Sequence, residues 1–222
     1  MDRRIFLLSV GLWSIAGMAA AQDRNALDRD LLAAAKAGDA AACRRLIAAG
    51  AALDARDAGG RTALLLATHA NHVAAAKALI EAGADVNAKD AIADSPFLYA
   101  GAEGRDEILK MTLAAGADLR SVNRYGGTAL IPAAHHGHVS TVRILLETAI
   151  DIDHVNRLGW TALLEAVILG DGGAAHTEIV RLLVEKGANP GIADRDGTTP
   201  LDHARRRGYD AIARIIEGAK AR

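Results

Sequence analysis

The sequence predicts an all-α repeat solenoid of about six helix–turn–helix units. A short motif recurs along the chain at a fixed distance: its first four copies are spaced 33 residues apart, and the fifth follows the fourth by 38 residues. The copies are Thr62-Ala63-Leu64, Ser95-Pro96-Phe97, Thr128-Ala129-Leu130, Thr161-Ala162-Leu163 and Thr199-Pro200-Leu201. A period of this size is typical of a solenoid, in which no unit can bury its apolar face without its neighbours.

Every unit carries the same order of turn and helix signals. The turn before the motif contains a glycine in four units, which suits a backbone that needs a positive φ. These glycines are Gly60, Gly126, Gly159 and Gly197. The hydroxyl group that opens the motif is expected to cap the helix that follows. With a second helix and a Gly-Ala turn such as Gly83-Ala84 behind it, the unit is turn, helix, short loop, helix.

The second unit shows which family the pattern resembles. Its segments Arg61 to Ala67, Asn71-His72-Val73 and Ala78 to Asn87 are similar to the ankyrin consensus, which runs from G-x-T-P-L-H-x-A through G-H to L-L-x-x-G-A-D-V-N. The resemblance covers about residues 27–218. It implies a stack of helix pairs with β-hairpin fingers, a role in protein–protein interaction and no enzymatic activity.

The repeat boundaries divide the chain into a signal segment and one ankyrin domain. We expect a single domain over residues 22–222, with units at about 27–57, 58–90, 91–123, 124–156, 157–194 and 195–222. The first unit lacks the motif threonine and the turn glycine. The last is rich in charge, with Arg205-Arg206-Arg207 around apolar isoleucines. Both features are typical of the capping repeats that close a solenoid.

Two units depart from the pattern. The third carries Ala93 at the position of the turn glycine, which predicts either a strained backbone or a reshaped hairpin. The fifth is longer by five residues, which alignment of His176 with His138 places at Asp171 to Ala175, between its two helices. Gly170 to Ala175 matches the letters of a dinucleotide fingerprint, but a helix precedes it where a strand is required. The insertion, with Asp171, Gly172 and Gly173, is either a tolerated surface segment or a recognition loop.

The N-terminal segment predicts export. Arg3-Arg4 begin a short basic start, an apolar run follows from Ile5 to Met18, and Ala19-Ala20-Ala21 precede Gln22. This is the pattern of a signal peptide over residues 1–21, cleaved after Ala21, which would leave no membrane span. Arg3-Arg4-Ile5-Phe6-Leu7 also resembles the twin-arginine signal. Either that route or the general secretory route leads to the periplasm.

Composition and motifs exclude several functions. The formal net charge of −1 gives no basic footprint for nucleic acid. Cys43 is the only cysteine, so no internal disulfide can form, and it takes the place of small apolar residues in other units. The sequence has no G-x-S-x-G elbow, H-E-x-x-H pair or phosphate loop. We therefore expect no cofactor, and a monomer.

Histidines are the remaining candidates for metal chemistry. His135, His138 and His176 fall near one another in the pattern, close to Asp171. His138 and His176, however, stand at the ankyrin G-H position, where the residue helps to turn the chain between helices. The prediction is therefore that they do not bind metal.

A candidate partner-binding face follows from the finger tips and the first helices. Arg124, Arg157 and Arg195 occupy equivalent tip positions and predict a ladder of guanidinium groups, one per unit, flanked by Tyr125, Leu158 and Trp160; Tyr99 shares one position of the first helices with Glu165 and His203. Arginine and aromatic side chains are enriched at interface hot spots. The ladder either receives an acidic partner or keeps the surface soluble.

These observations predict an exported ankyrin-repeat protein that binds another protein through its concave and hairpin face. The chain is similar to small periplasmic ankyrin proteins, some associated with catalase activity and peroxide resistance, which implies protection or assembly of a partner. Two alternatives stay open at this point. One is an inhibitor or immunity-like protein that blocks a toxic enzyme, and the other is a metal-dependent enzyme that uses segment 171–175 and the nearby histidines.

Overall fold

A computed structural model describes residues 23–220 of the chain. These residues divide between Asp85 and Val86 into two compact parts, an N-terminal part and a C-terminal part. The N-terminal part contains four described helices: α1 at 23–37, α2 at Ala40–Ala48, α3 at Ala63–His69 and α4 at Val73–Glu81. Helix α4 packs against both α2 and α3. Cys43 is fully buried in α2, as predicted, and burial raises the pKa of its thiol.

The C-terminal part, from Val86 onward, contains the other eight described helices. They are α5 at Pro96–Ala102, α6 at Asp106–Ala114, α7 at Leu130–His135, α8 at Val139–Leu146, α9 at Ala162–Ile168, α10 at Ala174–Glu185, α11 at Pro200–Arg206 and α12 at Asp210–Lys220. The first helices of the repeats, α5, α7, α9 and α11, pack one on the next in chain order, and so do the second helices α6, α8, α10 and α12. This is the neighbour-to-neighbour packing of a repeat fold.

The motif hydroxyl caps four of the first helices, as the sequence predicts. The side chains of Thr62, Ser95, Thr161 and Thr199 accept hydrogen bonds from the backbone N–H three residues later, at 3.2–3.3 Å. Thr199 also forms a capping box with Asp202. Each cap satisfies a backbone donor at the helix start and so fixes where the finger ends.

Thr128 is the exception among the motif hydroxyls. Helix α7 begins at Leu130 without a side-chain cap, and the Thr128 Oγ1 atom is buried without a hydrogen-bond partner in the described residues. A buried hydroxyl without a partner is unfavourable, since it has lost its bonds to water.

We expect Thr128→Val to increase the free energy of unfolding by about 1 kcal/mol, because valine keeps the shape and removes the unpaired hydroxyl. Thr161→Val is the matched control, and we expect it to lower that energy by about 1 kcal/mol through loss of the cap. Chemical denaturation of both variants gives the comparison. Equal destabilisation by the two changes would contradict the assignment of Thr128.

The fingers between repeats are tight hydrogen-bonded turns with almost no strand. One isolated antiparallel bridge, between Arg56 and Thr62, occurs in residues 23–220. In each finger an Asp or Asn side-chain oxygen accepts from the backbone N–H groups two and four residues later, at 2.9–3.1 Å. The five residues are Asp57, Asp90, Asn123, Asn156 and Asp194. These oxygens give the turns a fixed shape without a β-ladder.

The third finger keeps this shape in spite of Ala93. The Asp90 oxygen makes the same two bonds as its equivalents, while Ala93 adopts a φ of 66°, close to the 75° of Gly126. Of the two outcomes that the sequence left open, the strained backbone is the one observed. A left-handed alanine costs about 1–2 kcal/mol, and the Asx bonds hold it in place.

The insertion in the fifth repeat is only partly a loop. The sequence places all of Asp171 to Ala175 between the helices, but α10 already begins at Ala174, so this placement is wrong for Ala174 and Ala175. Alanine favours helix, and the Gly173 carbonyl accepts the first helical bond, from Thr177. Helix α10 therefore has 12 residues, compared with nine in α6 and eight in α8, which are the second helices of the two preceding repeats.

Candidate functional site

A groove lies on the C-terminal part of the structure, where three fingers face the first helices α5, α7 and α9 of their repeats. It encloses a cavity of about 430 Å³, lined by side chains of both the fingers and the helices. Tyr99, Arg124, Tyr125 and Leu158 are among the lining residues, together with Ile131 and Leu169. A volume in this range, roughly 300–1,000 Å³, is usual for sites that enclose a ligand or an anchoring side chain.

Exposed apolar side chains lie at three finger tips, and two of them, Tyr125 and Leu158, line the groove. Ile92, Tyr125 and Leu158 occupy equivalent finger tips, and they are 51%, 54% and 46% exposed. Leu169, at the end of α9, adds a further exposed apolar surface inside the groove. Single exposed apolar residues are ordinary, but a row at one position of successive repeats is typical of an interaction surface.

A buried carboxyl group lies at the bottom of the groove. Glu165 of α9 is only 6% exposed, and its Oε1 accepts a hydrogen bond of 2.7 Å from the Asn156 side-chain amide. Its Oε2 lies 3.9 Å from His135 Nδ1, beyond hydrogen-bond distance. Burial raises the pKa of Glu165 to about 7, and the bond from Asn156 opposes that rise only in part. The groove thus contains a carboxyl group that is poorly compensated by its surroundings.

Other charged groups make the groove acidic overall. Asp94 and Glu103 also line it, and Arg124 is its only lysine or arginine among the lining residues that the structure describes. Arg124 is already 3.4 Å from the Asp94 carboxylate, and its guanidinium lies over the Tyr125 ring. Burial, and next the neighbouring His136 and His176, lower the pKa of His135, so that this ring is neutral at pH 7.

The structure brings together some of the residues predicted for the binding face and separates others. Tyr99, Arg124, Tyr125 and Leu158 line the groove. Trp160 is half-buried, while Arg157 and Arg195 are exposed on the fingers, and none of these three lines the groove in the part of the chain that is described. The contact role of all seven residues stays a prediction.

The predicted arginine ladder connects neighbouring fingers. Arg157 Nη1 donates to the Arg124 carbonyl at 2.9 Å, and Arg195 Nη2 donates to the Arg157 carbonyl. The side-chain stems lie close to the turn glycines, since a Cβ on Gly126 would be 2.8 Å from Arg157 Cγ. The arginines therefore have a structural role that the sequence did not indicate, in addition to any role in binding.

We expect Arg157→Ala to lower the free energy of unfolding by about 1 kcal/mol, because the bond to the Arg124 carbonyl and the packing of the stem are both lost. Urea denaturation measures this. Arg120→Ala is the control, since that side chain is 95% exposed and surface changes of this kind usually stay within about 0.5 kcal/mol. A loss as small as that of the control would show that the ladder does not stabilise the fingers.

The histidines of the G-H position have a packing role. A Cβ on Gly104 would be 2.9 Å from the His138 ring, and one on Gly38 would be 2.7 Å from the His72 ring. Each ring therefore fills the space beside the positive-φ glycine of the preceding repeat. His176 lies in the equivalent place, 3.5 Å from a Cβ on Gly137.

Both ring nitrogens of His176 are engaged within the protein. Nδ1 lies 2.8 Å from Asp171 Oδ1, and Nε2 lies 2.9 Å from the His135 carbonyl. Among residues 23–220 no group of three His, Cys, Asp or Glu side chains could hold a metal ion. Asp171 instead organises the insertion, because its Oδ1 also accepts from the Gly173 N–H at 2.8 Å. The described geometry thus gives the metal-dependent alternative no support.

Sequence reasoning did not include Glu165 and Asn156 among the site residues. A signal for both was present: Glu165 is the one charged residue in the otherwise apolar helix Ala162–Ile168, and it stands at the position of Tyr99. Asn156 stands at the position where Asp194 contacts His203, at 2.7 Å between Oδ2 and Nε2. The Asn or Asp side chain of a finger thus contacts a polar group on the first helix in two successive repeats, through the donating Asn156 amide nitrogen in one and through Asp194 Oδ2 in the other.

The stacked helix pairs and the fingers define a helical repeat protein, and the groove lies between these elements. Models of the family described as ankyrin repeats (3 copies) match residues 17–90 and 97–194. The chain therefore belongs to the ankyrin-repeat family, as its sequence pattern predicts.

Solved structures support the same assignment. An ankyrin repeat domain from Acinetobacter baumannii AYE is 57% identical, with a TM-score of 0.84, over 86% of this chain and 97% of that one. The ankyrin repeat protein EF0377 is 44% identical, with a TM-score of 0.83 and the same coverage of 86% and 97%. Among relatives found by sequence, the ankyrin repeat protein YahD of Escherichia coli (strain K12) is 47% identical over 57 residues. These residues are 26% of this chain and 28% of that protein.

Ankyrin repeats are generally protein-interaction modules, and the matched family carries no catalytic assignment. Within residues 23–220, no helix is long and apolar enough to cross a bilayer.

Proposed function

We propose that this chain is an exported ankyrin-repeat protein that binds another protein through the groove and finger tips of its C-terminal part, from Val86 onward. The observation that carries the proposal is the row of exposed apolar tips, Ile92, Tyr125 and Leu158, of which Tyr125 and Leu158 line the acidic groove. Binding pockets are usually lined by hydrophobic and aromatic side chains, with a few polar groups that fix the orientation of the ligand.

Export is the second part of the proposal. It is supported by the basic start at Arg3-Arg4, the apolar run and the small residues before Gln22. Residues 1–21 lie outside the described part of the structure. The partner is then a periplasmic protein that the chain protects or assembles, and a link to peroxide resistance stays an expectation from the resemblance alone. N-terminal sequencing of the protein from a periplasmic fraction should begin at Gln22.

Site-specific photo-crosslinking tests the binding face. We place the crosslinker at Tyr125 in the full chain and, as a control, at Glu147, which follows α8 and lies outside the groove lining. A partner should crosslink in a periplasmic fraction from Tyr125 and not from Glu147, and the change Leu158→Ser should reduce the yield. Equal crosslinking from both positions, or none from Tyr125, would contradict the proposed face.

A further inference from the structure

We propose that the groove receives an arginine side chain of the partner protein, with Glu165 Oε2 as the acceptor of its guanidinium group. This inference rests on the proposed function and names the chemistry of the partner. Glu165 is the only buried carboxyl group among residues 23–220, and its surroundings compensate it only in part.

Charge complementarity favours a cationic occupant. Asp94 and Glu103 contribute carboxyl groups to the groove, against the single guanidinium of Arg124. Glu165 adds a third, which is about half ionised at pH 7 because its pKa is about 7, and an adjacent guanidinium would lower that pKa and favour the charged form. Arg124 is already paired with Asp94, and His135 is neutral at pH 7 because burial, and next its histidine neighbours, lower its pKa. Among the lining residues that the structure describes, Arg124 is the only lysine or arginine, so an incoming cation meets no unpaired guanidinium or ammonium group beside it.

The geometry of Glu165 leaves one oxygen directed to the groove. Asn156 donates to Oε1 at 2.7 Å, whereas His135 Nδ1 lies 3.9 Å from Oε2, beyond hydrogen-bond distance. The side chain is 91% buried, since its exposed fraction is 9%. An additional donor at Oε2 would supply the hydrogen bond that burial has removed, and a charge-assisted bond is stronger than a neutral one.

The lining favours arginine over lysine. Tyr99 and Tyr125 both line the cavity, and the Tyr125 ring already accepts one guanidinium, with Arg124 Cζ at 4.9 Å from the ring centroid. A planar guanidinium stacks on aromatic faces and donates along a fixed direction, whereas an ammonium is a strongly hydrated point charge. The exposed Leu158, which also lines the groove, then contacts apolar residues beside that arginine in the partner.

Peptide binding to the full chain tests this inference. The probes are fluorescent heptapeptides whose central residue lies between two leucines, and that residue is arginine, lysine, citrulline or glutamate. We expect the arginine peptide to bind, the citrulline and glutamate peptides to bind at least about tenfold more weakly, and lysine to fall between them. Citrulline is decisive, since it keeps the shape of arginine and removes its charge.

Two matched variants assign the acceptor. Glu165→Gln should weaken the arginine peptide by about tenfold, while Glu147→Gln, the same charge change outside the groove, should leave its affinity unchanged. Thermal unfolding of both variants verifies that they are folded. Equal affinity for arginine and citrulline, unchanged affinity in Glu165→Gln, or no binding of the arginine peptide at millimolar concentration would each overturn the inference.

The outcomes also separate this inference from the proposed function. A partner that crosslinks at Tyr125 but tolerates Glu165→Gln leaves the binding face standing and overturns the arginine site. An arginine peptide that depends on Glu165, without any crosslinked partner at Tyr125, supports the site and contradicts the proposed function.

Discussion

Replacing Glu165 with glutamine should stabilise the protein at pH 8 by about 2–3 kcal/mol and have little effect near pH 4.5. The reason is the pKa of the buried carboxyl group, which is about 7 in the folded chain against an ordinary value of 4.5. Between these two values the folded state holds a proton that the unfolded state releases, so the Glu165 contribution to stability falls as pH rises. It is complete below pH 4.5 and lost above pH 7.

The difference between wild type and variant isolates this effect from the histidines. Burial is the main reason that the pKa values of His135 and His138 are lowered, so their contributions run in the opposite direction and improve stability as pH rises. Those contributions are common to both proteins and cancel in the comparison. Glutamine keeps an oxygen that can accept from Asn156, so the fold is preserved.

Denaturation of both proteins at pH 4.5, 6 and 8 provides the measurement. Glu147→Gln is the control, because Glu147 is solvent-exposed and paired with Lys186, and its profile should follow that of wild type. If Glu165→Gln and wild type differ by the same amount at pH 4.5 and pH 8, the Glu165 carboxyl does not titrate in the way its burial requires.

The fold was predictable from sequence because the same turn and helix signals recur in successive repeats. The spacing of the motif predicted where the first helices begin, and the hydroxyl of that motif predicted four of their caps. Thr128 shows the limit of this reasoning, since it has the consensus residue and yet caps nothing. Whether a hydroxyl reaches its backbone donor depends on the geometry of the local turn, which a consensus does not specify.

The groove was only partly predictable. Equivalent positions identified Tyr99, Tyr125 and Leu158 as candidates, because a solenoid presents the same position of each unit on the same face. The state of Glu165 depends instead on how deeply α9 is buried and on the amide of Asn156, nine residues earlier. The arginine ladder is a similar case: its tip positions follow from the period, but its bonds to backbone carbonyls need the distance between fingers.

The insertion is where a sequence comparison gives least. Asp171 contacts His176, and Tyr209 OH donates to the Gly170 carbonyl at 3.1 Å from a position 39 residues away. The contact between Asp171 and His176 has no equivalent in the other described repeats, so no internal comparison can reveal it. Tyr209, in contrast, stands at the position of His138 and packs beside the positive-φ Gly172 as His138 packs beside Gly104. Together these contacts show that segment 170–173 is held against the start of α12 and does not extend freely from the surface.

Gly172→Ala should therefore be strongly destabilising, by about 3 kcal/mol in the free energy of unfolding. Two effects add. Gly172 has a φ of 71°, where an L side chain is strained, and a Cβ there would be 2.4 Å from the Tyr209 ring. Because the ring is fixed by its hydrogen bond to Gly170, the collision should displace the segment that carries Asp171 and with it the bonds to His176.

A matched glycine separates strain from collision. Gly208 has almost the same φ, 69°, but nothing lies within 4 Å of a Cβ built there, so Gly208→Ala should cost only about 1–2 kcal/mol. Truncation of the ring in Gly172→Ala/Tyr209→Ala should couple favourably with the glycine change, in a double-mutant cycle measured by urea denaturation. Additive losses in that cycle would mean that the ring yields without cost, and that the insertion is a tolerated surface segment with no fixed position.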